Sequence, residues 1–90
     1  MTEKRTVDVR ELACPEPAEV VLEAVDTLAD GQYLEVIHNQ EPKLIYPHLQ
    51  KRGFAFLVQK DDEPVVRVLI WRQQDREARA AVDAAVSGLL

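Results

Sequence analysis

A single cysteine in ninety residues cannot close a disulfide within the chain, and without a second thiol there is neither a redox pair nor a cysteine-based metal spacing. Long apolar runs are missing as well. No stretch approaches the roughly 20 residues that cross a bilayer, and Met1 to Arg5 lead into strand-like sequence without an apolar signal segment. Basic residues are in short supply: 11 Lys and Arg stand against 16 Asp and Glu, and the net charge of −5 repels phosphate backbones and anionic lipid. These absences predict a cytoplasmic protein with no nucleic-acid and no membrane partner. Only three glycines and five prolines, beside 47% hydrophobic and 30% charged residues, exclude a disordered or fibrous chain. A chain of this length makes one domain.

What is present is patterned. Val7 and Val9 alternate with polar neighbours over Thr6 to Arg10, the period of a short strand. Ala18, Val21, Leu22, Val25, Leu28 and Ala29 recur every three or four positions and predict a helix from about Pro15 to Ala29, with Gly31 as its C-terminal cap. Tyr33 to His38 reads as a second strand. Asn39 to Pro42 then opens a second helix carrying Leu44, Ile45, His48, Leu49 and Arg52, ended by Gly53. Pro47 lacks a backbone donor and separates the first turn of that helix from the turns after it. Phe54 to Lys60 and Val65 to Arg72, joined by a turn-prone Asp61 to Pro64, predict an antiparallel hairpin. Asp75 to Leu90 predicts a third helix with Ala78, Val82, Ala85, Val86 and Leu89 on one stripe.

The expected fold is an α/β (α+β) two-layer sandwich of order βαβαββ, a four-stranded mixed sheet with two helices on one face, plus an extra C-terminal helix. The crossover helix makes strands one and two parallel, with a right-handed connection. The last strand puts Val66, Val68 and Ile70 on one side and Val65, Leu69 and Trp71 on the other, so the second face needs a cover. The third helix or a second copy of the chain, as a homodimer, supplies it.

Parallel strands followed by helices bring the ends of strands one and two to one sheet edge with the helix starts. Cys14 and the His38 to Glu41 turn are expected together there. A residue before proline is pushed out of the helical region, as an N-cap must be, and Pro15 starts a helix without wasting a donor. Helix starts favour an anion, but Pro15 and Pro17 lack N–H groups, and Glu16 and Glu19 oppose a negative sulfur, so the thiol is only modestly activated. The alternative for Cys14 is a small buried hydrophobe. His38 at the strand end can hydrogen-bond a thiolate or ligand, or serve as a solvated cap. His48, on a face with Leu44 and Leu49, reads as packed and partly buried. Two histidines ten residues apart, with no cysteine partner, do not specify a metal, and no cofactor is implied. Arg10, Lys51 and Arg52 read as surface charges. The acidic face of the first helix is a solvated face that can also meet a basic partner.

The stretch Val7-Asp8-Val9-Arg10-Glu11-Leu12-Ala13-Cys14-Pro15-Glu16-Pro17 resembles the strand-turn-helix signature of TusA-like (SirA-like) sulfur carriers, in which Cys-Pro-x-Pro opens the first helix. The likeness covers residues 1–72 and leaves 73–90 as a C-terminal helical extension. It implies a two-layer sandwich in which Cys14 carries a persulfide between a donor protein of the cysteine desulfurase or rhodanese type and an acceptor protein, with Pro15, Glu16 and Pro17 shaping its loop. Carriers of this type have glycine where this chain has Glu11. The second half, His38-Asn39-Gln40-Glu41-Pro42 and Leu49 to Phe54, is closer to an uncharacterised branch, a domain of unknown function whose members often lack the cysteine. Two readings follow. In one, Cys14 relays sulfur. In the other, the edge with Arg10, His38, Asn39 and Glu41 binds an anionic metabolite or a partner protein, and Cys14 is incidental.

Overall fold

The computed structural model describes residues 4–12, 16–62 and 64–87, apart from the side chains of Glu16, Asp61 and Asp62. Strands β1 (Lys4–Asp8), β2 (Tyr33–His38), β3 (Phe54–Asp62) and β4 (Val65–Arg72) form one mixed sheet in the order β1-β2-β4-β3. β1 runs parallel to β2 in a register from Lys4 opposite Tyr33 to Asp8 opposite Ile37. β4 is antiparallel to both its neighbours, and the hairpin to β3 carries a bulge between Gln59 and Asp62. This is the α+β sandwich expected from the sequence. Among the described residues no helix is long and apolar enough to cross a membrane.

Alternation along the strands sorts the side chains between two layers. Leu34 and Val36 of β2 and Val66, Val68 and Ile70 of β4 face helices α1 (Glu16–Asp26) and α2 (Tyr46–Lys51). Val21, Val25, Leu28, Ile45 and Leu49 complete this core from the helix side. Each fully buried aliphatic side chain here contributes about 1.5–3 kcal/mol of transfer free energy. The opposite face is covered by α3 (Arg76–Ser87), whose Val82 packs with Tyr33 and Leu69 and is joined by Trp71, Ala81 and Val86. Of the expected stripe on α3, Ala78 and Val82 are buried and Ala85 is exposed, while Leu89 lies outside the described residues.

Several boundaries differ from expectation for local reasons. β1 ends at Asp8 instead of Arg10 because the Asp8 carboxylate accepts the Arg10 backbone N–H at 3.1 Å and turns the chain out of the sheet. Val9 still donates to the Ile37 carbonyl at 2.9 Å. α1 stops at Asp26, short of Ala29, where the Thr27 hydroxyl competes for the Ala24 carbonyl at 2.8 Å. Gly31 is therefore not the cap of α1. It occupies the third position of an Ala29–Gln32 turn, where its φ of +82° suits glycine. Gly53, with φ +83°, does cap α2, its N–H donating to the Gln50 carbonyl at 3.1 Å. Pro47 divides the second helix as expected: Lys43–Ile45 forms a 3-10 turn, and the proline sits in the first turn of α2, where no donor is lost.

Candidate functional site

The parallel pairing of β1 and β2 delivers two loops to one edge of the sheet. After β1, Val9 to Leu12 closes a turn through Leu12 N–H to the Val9 carbonyl at 3.2 Å. The Asn39 side-chain amide reaches across from the end of β2 and donates to the Arg10 carbonyl at 3.2 Å, tying the loops together. His38 follows Leu34 and Val36 onto the helix side of the sheet and is only 6% exposed, which overturns the solvated-cap reading. Its Nδ1 accepts the backbone N–H groups of Asn39 at 2.8 Å and Gln40 at 3.3 Å. The Asn39 Oδ1 lies 3.2 Å from the same nitrogen, but two N–H donors on Nδ1 assign the proton of the neutral ring to Nε2.

Between this loop and the first turn of α1 lies a cavity of about 210 Å³. Its walls are mainly apolar and include Pro17, Ala18, Pro42, Leu44 and Ile45, with His38 as a polar member. Leu44 is 87% exposed, although the sequence pattern placed it with Leu49 on a packed face. Ile45 and Leu49, four apart, point inward, while Leu44 and His48 lie about 100° around the axis from them and point out. The expectation of a packed, partly buried His48 fails for that reason: it is exposed.

Glu41 also borders the cavity, but its carboxylate is engaged elsewhere. Oε1 meets Lys60 Nζ at 2.7 Å and Oε2 accepts the Tyr46 hydroxyl at 3.1 Å. The bond from Lys60 holds this carboxyl below the usual glutamate range. Tyr46 is pushed well above an ordinary phenol, first by burial and then by Glu41, and its ring stacks on Phe56 with centroids 4.2 Å apart. Arg10 is committed to Asp8, with Nε 2.9 Å from Oδ1 and a terminal nitrogen 2.7 Å from Oδ2. Hydrogen bonding between the two lowers the Asp8 carboxyl and raises the guanidinium.

Of the residues singled out in the sequence, Pro17, His38 and Glu41 thus share one cavity. Asn39 fastens its rim, and Arg10 joins through its carbonyl alone. Cys14 and Pro15 lie outside the described residues, as does the side chain of Glu16, whose backbone opens α1. Arg52, placed at the surface by the sequence, pairs with Asp26 at 3.0 Å. The walls built by Ala18, Pro42, Leu44 and Ile45 were not singled out, because each reads in sequence as ordinary helix or turn. A larger open depression of about 490 Å³ lies at the start of α3. Its polar groups are used structurally: Asp75 accepts from the N–H groups of Ala78 and Gly31, and Arg72 donates to the Leu28 carbonyl at 2.6 Å.

A family model described as an uncharacterized conserved protein (DUF2249) matches residues 6–72. No curated protein and no solved structure matches the chain. The matched stretch runs from β1 to the last residue of β4, so it contains the whole cavity, while α3 lies beyond it.

Proposed function

The chain belongs to the DUF2249 family of uncharacterized conserved proteins, and from that footing we propose that it is a sulfur carrier related to the TusA-like proteins, with Cys14 as the loading site. The Cys14 thiolate attacks the terminal sulfur of a donor protein's persulfide. The donor's S–S bond breaks, the donor leaves as a thiolate, and Cys14 holds the sulfur as Cys–S–SH with the transferred proton. An acceptor thiolate then attacks the terminal sulfur of that persulfide, and Cys14 leaves as the thiolate. No external oxidant or reductant is needed, since one S–S bond forms for each that breaks. A donor of the cysteine desulfurase or rhodanese type and a separate acceptor protein are the partners on this reading.

One observation carries the proposal: in the sequence Cys14-Pro15-Glu16-Pro17 spans the junction between β1 and α1, and Pro17 lines a cavity with His38 at the end of β2. Described groups on both sides of the cysteine support it. Leu12 is held by the Val9 turn, and Pro17 forms part of a mainly apolar cavity beside His38. Low-polarity surroundings suit a sulfane sulfur, which is polarizable and weakly hydrated. The βαβαββ order of residues 4–72 is the order that the resemblance implies.

The test is mass spectrometry of the intact protein after incubation with a desulfurase and cysteine, or with a rhodanese and a sulfane donor. Gain of one sulfur atom, reversed by reductant and absent from Cys14→Ser, is the expected result. Unchanged mass in a protein whose native thiol is readily alkylated would overturn the reading.

A further inference from the structure

His38 combines two features that do not ordinarily coexist. Its side chain is more than nine-tenths buried, yet Nε2 has no hydrogen-bond partner among the described residues. No fully buried side-chain nitrogen or oxygen among those residues is left unsatisfied, so Nε2 keeps some contact with solvent, and His38 lines the cavity. The ring is also fixed in direction, because the Asn39 and Gln40 amides hold Nδ1. A fixed donor in a mainly apolar recess, with no protein partner among the described residues, can exchange a water for an acceptor that enters.

Charge and size narrow the class of that acceptor. Glu41 is paired with Lys60 at 2.7 Å, and Lys43, on the same loop, adds to the lining a cation that an anionic group can meet. The walls of Pro17, Ala18, Pro42, Leu44 and Ile45 offer nothing to hydrate a multiply charged inorganic anion. A volume of about 210 Å³ is below the roughly 300–1,000 Å³ of sites for larger ligands and cofactors. We infer that the cavity between the start of α1 and the His38 to Ile45 loop is a binding site for a compact organic monocarboxylate, its apolar body against Pro17, Pro42 and Leu44 and its carboxylate accepting from His38 Nε2–H. Every residue invoked here is a described one, and the inference does not depend on the sulfur relay.

The experiment is an NMR titration of the nitrogen-labelled protein with benzoate and isovalerate, following the His38 ring nitrogens and the amides of Gln40 to Ile45. Benzamide, isoamyl alcohol and sulfate serve as controls. A saturable shift with either carboxylate is expected, including movement of the Nε2 resonance, with affinity at least about tenfold weaker in His38→Gln. Because His38 is buried, Leu44→Ser supplies an independent variant: at 87% exposure it leaves the core intact, and it should weaken binding of both carboxylates. Binding by Cys14→Ser should match that of the parent protein, so a failed sulfur relay leaves this result standing. Lack of saturation with both carboxylates overturns the inference. So does equal binding of a neutral control or sulfate, or affinity unchanged in both the His38 and Leu44 variants.

Discussion

Replacing Asp75 by alanine removes the residue that joins the third helix to the rest of the protein. Its Oδ1 accepts the N–H of Ala78 at 3.0 Å, the geometry of an N-cap on α3, and its Oδ2 accepts the N–H of buried Gly31 at 2.7 Å. Loss of an aspartate cap costs about 1 kcal/mol. Leaving the buried Gly31 N–H without a partner adds about 1–2 kcal/mol, taken toward the lower end because Asp75 is itself part exposed and water can re-enter. The expected total is about 2–3 kcal/mol at neutral pH, a large share of the stability of a small domain. Asp75→Asn retains a single acceptor oxygen and so keeps only one of the two bonds, which places its loss between those of the parent and the alanine variant. The backbone bonds from Ala78 and then Gly31 lower the Asp75 carboxyl below its ordinary value of 3.8. Its contribution is therefore complete above the unfolded value and disappears as pH falls through the lower folded value. Urea titrations at pH 7 and near pH 3, read by far-ultraviolet circular dichroism and by fluorescence, measure both effects. Trp71, the single tryptophan, packs against the α3 cluster and reports directly on whether that helix is docked. A shift at pH 7 under about 0.5 kcal/mol refutes the assignment. The same shift at both pH values refutes the ionic part of it.

Leu34→Ala, at a fully buried position in the central strand β2, should cost about 2–5 kcal/mol by urea denaturation, because the sheet and helices can only partly close the void. Gly53→Ala meets no atom within 4 Å, so its cost of about 1–2 kcal/mol comes from the left-handed backbone alone, and Gly53→Asn should cost less. Tyr46 should remain un-ionised in the folded protein when ultraviolet absorbance is followed past pH 10, and Tyr46→Phe should remove that behaviour. Since folding raises this phenol, the stability linked to it is present below pH 10 and declines as pH climbs above it.

The strands and the layer order were legible because alternation and three-to-four spacing are strong in this chain. Val66, Val68 and Ile70 against Leu69 and Trp71 even announced a second face in need of cover, and α3 covers it. Errors gathered where a side chain competes for a backbone bond, as Asp8 and Thr27 do, since periodicity carries no information about such rivals. The site was legible as an edge but not as a cavity. His38, Glu41 and Pro17 could be assembled from topology. Leu44 and His48 stand about 100° around the helix from Ile45 and Leu49, and apolar spacing alone did not say which pair faces the core.

The position of β1 in the sheet order has a kinetic consequence. It is the shortest of the four strands and has a single neighbour, and it can pair with β2 only after the intervening crossover has been closed. The hairpin of β3 and β4 needs no such closure, so loop-closure entropy predicts that the sheet grows outward from it and that β1 joins last. What joins last also frays first. Faster amide hydrogen exchange in β1 than in the β3–β4 hairpin would show this, and fraying at that margin would free the Arg10 carbonyl from Asn39 and open the recess beside His38 without global unfolding.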